Sequence, residues 1–318
     1  MGMRRGVSAR TGKGALRGPA RTRGVLGACA LALLLPAPAA MPAAARAETA
    51  ARAQPSQIHR DVVYRTVDDV ELRLDVYRSP TADEGPAPVV VYFHGGGWAR
   101  GQRPESWKGF SPFLGAGFSV VTVQYRLSGQ ARAPAAVQDV RCAIHWIGSK
   151  AAEYGFDPDR IVAYGTSAGG HLALMAAYLP QDSAIDVPEC RGAPRVAAVL
   201  DFYGPADLTR IVPEGSPRHP TVARWVGDYP GAAAMDAAMS PARHVGENTP
   251  PTLIVHGDRD KVVPIAQSFL LLEALQGAGV ASELLTVPGG GHGKFDTAAR
   301  AEIVDRALAF LRAQGLAD

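Results

Sequence analysis

The sequence predicts an α/β protein with a mainly parallel, eight-stranded sheet covered by helices on both faces, and three observations predict it. Short continuous apolar runs recur along the chain and read as strands buried on both sides. Stretches with apolar residues at three- and four-residue intervals lie between them and read as helices. The two kinds of segment alternate, which is the pattern of parallel strands joined by crossover helices.

Taken in order, Ile58 to Arg78 holds two alternating stretches, with Val63, Leu72, Leu74 and Val76 among the apolar members, and reads as an antiparallel hairpin turning at Asp68-Asp69. After a Pro/Gly-rich loop over 79–88, the buried strands are Val89 to Phe93, Phe118 to Val123, Ile161 to Tyr164, Val196 to Phe202 and Leu253 to Val255, with Ser282 to Val287 closing the sheet. Helical patterns cover 133–153, 168–179, 265–278 and 297–313. The segment 204–249 breaks the rhythm; it is rich in Pro, Gly and Ala and reads as a short cap over the carboxyl edge of the sheet, with Trp225 in it, while Trp146 fits the core. No central stretch has linker composition, so 58–318 is expected to form one domain.

The net charge of +3 misleads until the chain is divided. Residues 1–47 carry eight basic residues and no acid, which leaves 25 basic against 30 acidic in the remainder, a balance of −5. The early segment has the parts of a secretory signal: a basic start, an apolar run from Val25 to Leu35, and small residues leading to Ala45-Arg46-Ala47. Cleavage is expected after Ala47, with 48–57 as an extension before the domain, and the destination is secreted or periplasmic. A retained anchor is disfavoured because the apolar run falls short of the ~20 residues that span a bilayer. Pro36 and Pro38 also interrupt its end. With the basic segment gone, the mildly acidic chain offers no electrostatic footprint for nucleic acid or for a membrane surface. Cys142 and Cys190 are then the only cysteines, and they form either a disulfide or two small buried thiols. No Cys/His set has zinc-ligand spacing.

The chemistry is carried by Gly165-Thr166-Ser167-Ala168-Gly169, directly after one buried strand and directly before a helix. A serine at such a sharp strand-to-helix turn needs small residues two positions away on each side, and the turn lifts its Oγ clear of the sheet. The Ala168 N–H and the helix N-terminus then face the place where a negative oxygen would form. Serine needs a base, and chain order in this arrangement runs serine, acid, histidine. Of the two histidines that follow the 204–249 segment, His256 comes too soon after its strand, so His292, in the loop Gly289 to Gly293, is the expected base. Asp260 is preferred as the acid to Asp258 from its position along the loop, with Asp201 and Asp207 behind as turn formers. In His94-Gly95-Gly96-Gly97-Trp98 the glycines let backbone N–H groups converge on a substrate oxygen, so Gly96 and Gly97 join Ala168 as expected oxyanion donors. His94 is read as orienting that loop and His171 as a buried, hydrogen-bonded side chain. Trp98 is read as lining the substrate pocket, with packing against the sheet as the alternative.

These motifs, with Gly170-His171, His256-Gly257-Asp258-Arg259-Asp260-Lys261-Val262-Val263-Pro264 and Gly291-His292-Gly293, resemble the α/β-hydrolase serine esterases related to hormone-sensitive lipase. The resemblance is strongest to their bacterial feruloyl-esterase-like (BD-FAE-like) branch, and it spans residues 58 to 315. One departure is instructive. The lipase relatives carry their acid in an Asp-Pro-Leu type segment, whereas the His-Gly-x-x-Asp-x-x-Val-Pro form here is similar to dienelactone hydrolases and prolyl-oligopeptidase-like enzymes. The resemblance implies a carboxylesterase with the triad Ser167, Asp260 and His292, acting without metal or organic cofactor on a small-molecule or oligosaccharide ester of acetyl or feruloyl type. An amide or formamide hydrolase shares every one of these motifs. A non-catalytic binding protein of the same fold would lack at least one triad member.

Overall fold

The computed structural model describes residues 53–82, 84–212 and 215–317; the signal sequence expected over 1–47 and the first part of the extension lie outside them. The strands are β1 (Ile58–Val67), β2 (Val70–Tyr77), β3 (Ala87–Phe93), β4 (Ser119–Val123), β5 (Phe156–Thr166), β6 (Val196–Phe202), β7 (Thr252–Gly257) and β8 (Ser282–Val287). They form one eight-stranded sheet in the order β1-β2-β4-β3-β5-β6-β7-β8. The β1/β2 and β2/β4 pairs are antiparallel, and every pair from β4 to β8 is parallel. The hairpin turns where expected. Asp68 and Asp69 both take left-handed φ, 46° and 65°, as a two-residue turn between right-twisted strands requires.

Helices α1 (Ser111–Gly115), α2 (Ala135–Ser149), α3 (Ala151–Tyr154), α4 (Ala168–Tyr178), α5 (Pro220–Val226), α6 (Ala232–Ala238), α7 (Ala266–Gly277) and α8 (Thr297–Ala313) complete the chain. Alternate strand residues feed two cores. Val89, Val91 and Phe93 pack with Val140, Leu172 and Leu271 from α2, α4 and α7 on one face. Val90, Val162 and Leu200 pack with Phe113 from α1 and Ile303, Ala307 and Leu311 from α8 on the other.

Beyond the short helix α1, which no helical pattern marks, three elements differ from the sequence pattern. β5 begins at Phe156 rather than Ile161, because the polar run Asp157 to Arg160 hides a strand start that pairs Phe156 with Ala87 across an irregular register. The long helix over 133–153 breaks at Lys150 into α2 and α3. The cap segment is not irregular throughout. It contains α5, started by Pro220 with His219 accepting from the Thr221 N–H, and α6, whose alanine-rich run follows Gly231. No described helix is long and apolar enough to cross a membrane.

Candidate active site

Ser167 sits between β5 and α4 with φ 55° and ψ −122°, a strained conformation for a residue with a side chain. Its N–H donates to the Phe202 carbonyl (2.8 Å) and its carbonyl accepts from the His171 N–H (3.0 Å), so the turn is clamped between β6 and the helix. The flanking glycines are obligatory for steric reasons. A Cβ on Gly165 would overlap the Gly169 carbonyl, and one on Gly169 would overlap the Phe93 carbonyl at the end of β3. The elbow is therefore pressed directly onto the neighbouring strand.

The loops after β7 and β8 interlock beside this turn. Asp258 N–H donates to the Val287 carbonyl (3.2 Å), Arg259 N–H donates to the Gly290 carbonyl (2.9 Å), and a Cβ on Gly257 would overlap the Gly290 backbone. This contact brings three side chains into line. Ser167 Oγ lies 2.8 Å from His292 Nε2, and His292 Nδ1 lies 2.6 Å from Asp260 Oδ2. Asp260 Oδ1 accepts from the Val262 and Val263 N–H groups at 2.7 and 3.0 Å. Burial alone would raise the Asp260 carboxyl, but hydrogen bonds from His256, His292 and these two N–H groups hold it well below the usual carboxylate range. Asp260 is thus a fixed anion against one imidazole nitrogen, and the other nitrogen can take a proton from the serine hydroxyl.

The remaining aspartates are otherwise engaged. Asp258 accepts from the Gly289 N–H at 2.7 Å, tying the two loops together. Asp207 caps the turn Leu208–Arg210 through the Thr209 N–H. Asp201 is fully buried at the end of β6, where burial pushes its carboxyl up to about 7 against smaller opposing effects of His256 and the Gly204 N–H.

The glycine loop follows β3 beside the elbow. Gly95 is its point of closest approach: a Cβ there would stand 3.4 Å from the Ser167 Cβ. Gly96, Gly97 and Trp98 then take successive positive φ values of 130°, 61° and 54°, which coils the loop, and the Gly96 carbonyl accepts from the Ala99 and Arg100 N–H groups. His94 donates from Nδ1 to the Gly95 carbonyl (2.8 Å) and stacks on Tyr125, whose hydroxyl donates to the His94 carbonyl. Its part in orienting the loop is a backbone one, and burial lowers its imidazole below the ordinary value.

Trp98 needs a correction. It does not line an open pocket: it is 2% exposed and stacks on Trp225 of α5, ring centroids 4.4 Å apart, with His171 edge-on to both indoles. An indole next to the glycine loop finds more apolar surface beneath the cap than at the mouth of the site, and this packing holds the strained φ of Trp98 in place. The cap instead meets the loop through Thr221, whose Cγ2 would stand 2.8 Å from a Cβ on Gly97. His171 donates from Nε2 to the Met239 carbonyl, and burial pushes its imidazole down to about 4, so it is neutral at ordinary pH. Cys142 of α2 and Cys190 are disulfide-bonded, with Cα atoms 5.0 Å apart. Among the described residues, no group of three or more His, Cys, Asp or Glu side chains is arranged to hold a metal ion.

Two side chains that the sequence reading gave no part in this line stand against it. Tyr203, at a φ of 47° just beyond β6, sets its ring edge-on to His292 at 4.8 Å. His256, fully buried, brings Nε2 within 3.3 Å of Asp260 Oδ2. Tyr203 has no local signature. His256 sits inside the His-Gly-x-x-Asp motif, and that proximity was the available signal.

Residues 74–275 match the BD-FAE family model, a span that includes Ser167 and Asp260 and ends before His292. The chain is 34% identical over 230 residues to the esterase LipQ of Mycobacterium tuberculosis, covering 71% of this chain and 55% of that protein. It spans about half the length of the first curated relatives it matches. Among solved structures it is similar to a truncated carbohydrate esterase from gut microbiota, with TM-score 0.68, 28% identity and coverage of 83% of this chain and 98% of that one. It is similar also to butyrate-bound esterase Est2 of Thermogutta terrifontis, with TM-score 0.68, 30% identity, and coverage of 84% and 96%. Both likenesses extend across the sheet and its helices, and the architecture is the α/β-hydrolase fold.

Proposed function

The chain belongs to the BD-FAE family, and from that premise we propose that it is a carboxylic ester hydrolase with Ser167 as nucleophile, His292 as general base and Asp260 as the orienting acid. The observation that carries this reading is the continuous line of hydrogen bonds from Ser167 Oγ through His292 to Asp260, at 2.8 and 2.6 Å. In it, Ser167 Oγ attacks the acyl carbonyl as its proton passes to His292 Nε2, and the N–H groups of Gly96, Gly97 and Ala168 receive the oxyanion. His292 returns the proton to the leaving alkoxide, and the acyl group stays on Ser167. Water then attacks by the same route in reverse, giving a carboxylic acid and the free enzyme.

The substrate in this proposal is a small or carbohydrate-linked acyl ester of acetyl or feruloyl type. Support comes from the two structural relatives, a carbohydrate esterase and an esterase holding butyrate. A cap of two seven-residue helices closing on the glycine loop also favours a short acyl chain. The proposed location is outside the cytoplasm. The pattern of residues 1–47 supports it, and so does the Cys142–Cys190 bridge, which persists in an oxidising compartment.

The test compares wild type and Ser167→Ala on p-nitrophenyl esters of graded chain length, acetylated xylan, methyl ferulate and a matched anilide. Ester turnover that falls by about a thousandfold or more in the variant is the expected result. Undiminished turnover in the variant removes the mechanism, and faster cleavage of the anilide than of its ester removes the substrate class.

A further inference from the structure

His256 is the penultimate residue of β7, entirely shielded from solvent, and has no place in the proton path from Ser167 to Asp260. Its ring nevertheless has a determined polarity. Nε2 lies 3.0 Å from the Val263 carbonyl oxygen and 3.3 Å from Asp260 Oδ2, and Nδ1 lies 2.6 Å from Ser268 Oγ on α7. A carbonyl only accepts, so a proton is on Nε2 and is directed at the Val263 carbonyl, with Asp260 Oδ2 3.3 Å from the same nitrogen; Nδ1 is then the acceptor and the Ser268 hydroxyl the donor.

We propose that His256 is a positioning residue for hydrolysis: its Nε2–H, held in that tautomer by Ser268, pins the same Asp260 oxygen that receives the His292 Nδ1–H. The inference rests on the reading of Ser167, His292 and Asp260 as the triad.

The two Asp260 oxygens are held differently. Oδ1 is fixed by the Val262 and Val263 N–H groups of its own loop. Oδ2, the oxygen that does the work, is approached by His292 from the loop after β8 and by His256 from β7. During turnover His292 gains and loses a proton, so its pull on Oδ2 changes, whereas the His256 contact is buried and constant. A constant donor keeps the carboxylate from rotating when the His292 bond weakens, and it withdraws charge from Oδ2 so that His292⁺ is not over-stabilised. Both imidazoles and the two backbone N–H groups lower the Asp260 carboxyl against its burial. Among the described residues, the titratable groups facing Asp260 include these two imidazoles and the hydroxyl of Tyr203, whose ring is edge-on to both, and the buried Asp201 carboxyl faces His256 in turn. Through Ser268, itself 1% exposed, the chain of contacts extends from the nucleophile to the interior of α7.

The experiment uses the full chain and three variants, His256→Leu, His256→Gln and Ser268→Ala. It reads kcat and KM on p-nitrophenyl butyrate per site titrated with a fluorophosphonate, and the rate of fluorophosphonate labelling across the pH range. His256→Leu is expected to lower kcat about tenfold with KM within about twofold. It should also move the acid limb of both profiles to higher pH, since a carboxylate that has lost a donor binds the imidazolium more tightly. His256→Gln, which keeps an N–H in reach of Oδ2, restores most of the rate, and Ser268→Ala falls between. A purely structural histidine would reduce the number of titrated sites and leave kcat per site and the acid limb unmoved; that result, or a glutamine variant no better than leucine, overturns the proposal. If His256→Leu does not fold, Ser268→Ala carries the test with the ring still in place, and an unmoved limb there overturns it equally. Ser167→Ala separates the two readings: an active Ser167→Ala sinks the triad, whereas an inactive one beside an unmoved His256→Leu sinks only the role of His256.

Discussion

His292 Nδ1 stands 2.6 Å from Asp260 Oδ2, while Asp258, two residues earlier in the same loop, turns its carboxylate to the Gly289 N–H. The two aspartates are close in sequence and differ in task. Asp260→Asn would present an amide where His292 needs an acceptor and would favour the wrong tautomer, so kcat is expected to fall by about three to four orders of magnitude. Asp258→Asn keeps an oxygen able to accept from Gly289, so kcat should change by less than about threefold. Parallel kinetics on the two variants check this, and equal losses would undo the assignment.

The glycine loop predicts two substitutions of unequal severity. Gly97→Ala meets only a methyl of Thr221 and a φ of 61°, a cost of about 1–2 kcal/mol, whereas a Cβ on Gly96 overlaps the Arg100 carbonyl, which is backbone and cannot step aside. Gly96→Ala is expected to lose at least about a hundredfold in kcat/KM. Gly97→Ala should lose less, and Thr221→Ser in the same molecule should recover part of that loss by removing the methyl. A double-mutant cycle with no coupling between positions 97 and 221 would contradict this packing.

Asp201 predicts a pH-dependent stability. Unfolded, its carboxyl titrates near ~3.9, and folded it is pushed up to about 7 by burial, so the protonated form is the one the fold favours. Its favourable contribution is complete below the unfolded value and is lost as pH rises through the folded one. Asp201→Asn keeps an oxygen for the Gly204 N–H. The gain in stability of this variant over wild type should be near zero at about pH 4, grow up to about pH 7 and then level, on the order of 1–3 kcal/mol, with Tm rising in parallel. Thermal melts across that range decide it; a gain that does not vary with pH would be evidence against a buried carboxyl of this kind.

The Cys142–Cys190 bridge closes a sequence separation of 48 residues. In the chain-entropy account that is worth about 3–4 kcal/mol, so the Cys142→Ala, Cys190→Ala double variant should melt roughly 10 °C lower than the oxidised protein. The bridge ties α2 to the turn Pro188–Cys190, and neither element contributes a side chain to the line from Ser167 to Asp260. Specific activity at 25 °C, per titrated site, should therefore be unchanged, and a loss there would point to a coupling that the contacts do not contain.

What could be read from residues alone follows from how local each constraint is. The elbow was legible because the small residues flanking Ser167 fall between a buried strand and a helix, and the Gly165 overlap with the Gly169 carbonyl lies within the turn itself; that Gly169 is also demanded by the Phe93 carbonyl is a tertiary contact. The helix over 297–313 and the strand at 196–202 were legible because their apolar residues are the ones that the fold buries. The break at Lys150 and the early start of β5 were not, because the first is a change of helix within one apolar stripe and the second a polar run paired to a partner about seventy residues away.

By itself the sequence determined the α/β-hydrolase architecture, the identity of the candidate serine and histidine, and a preferred aspartate, since chain order, glycine sterics and apolar periodicity are properties of short segments. The tertiary structure alone decided which atoms meet. It turned Trp98 inward onto Trp225, set Tyr203 against His292, and delivered a second imidazole, His256, to the Asp260 oxygen that His292 uses. Those contacts join residues from different strands and from the cap, and their distances exist only once the loops after β3, β6, β7 and β8 have converged at one edge of the sheet.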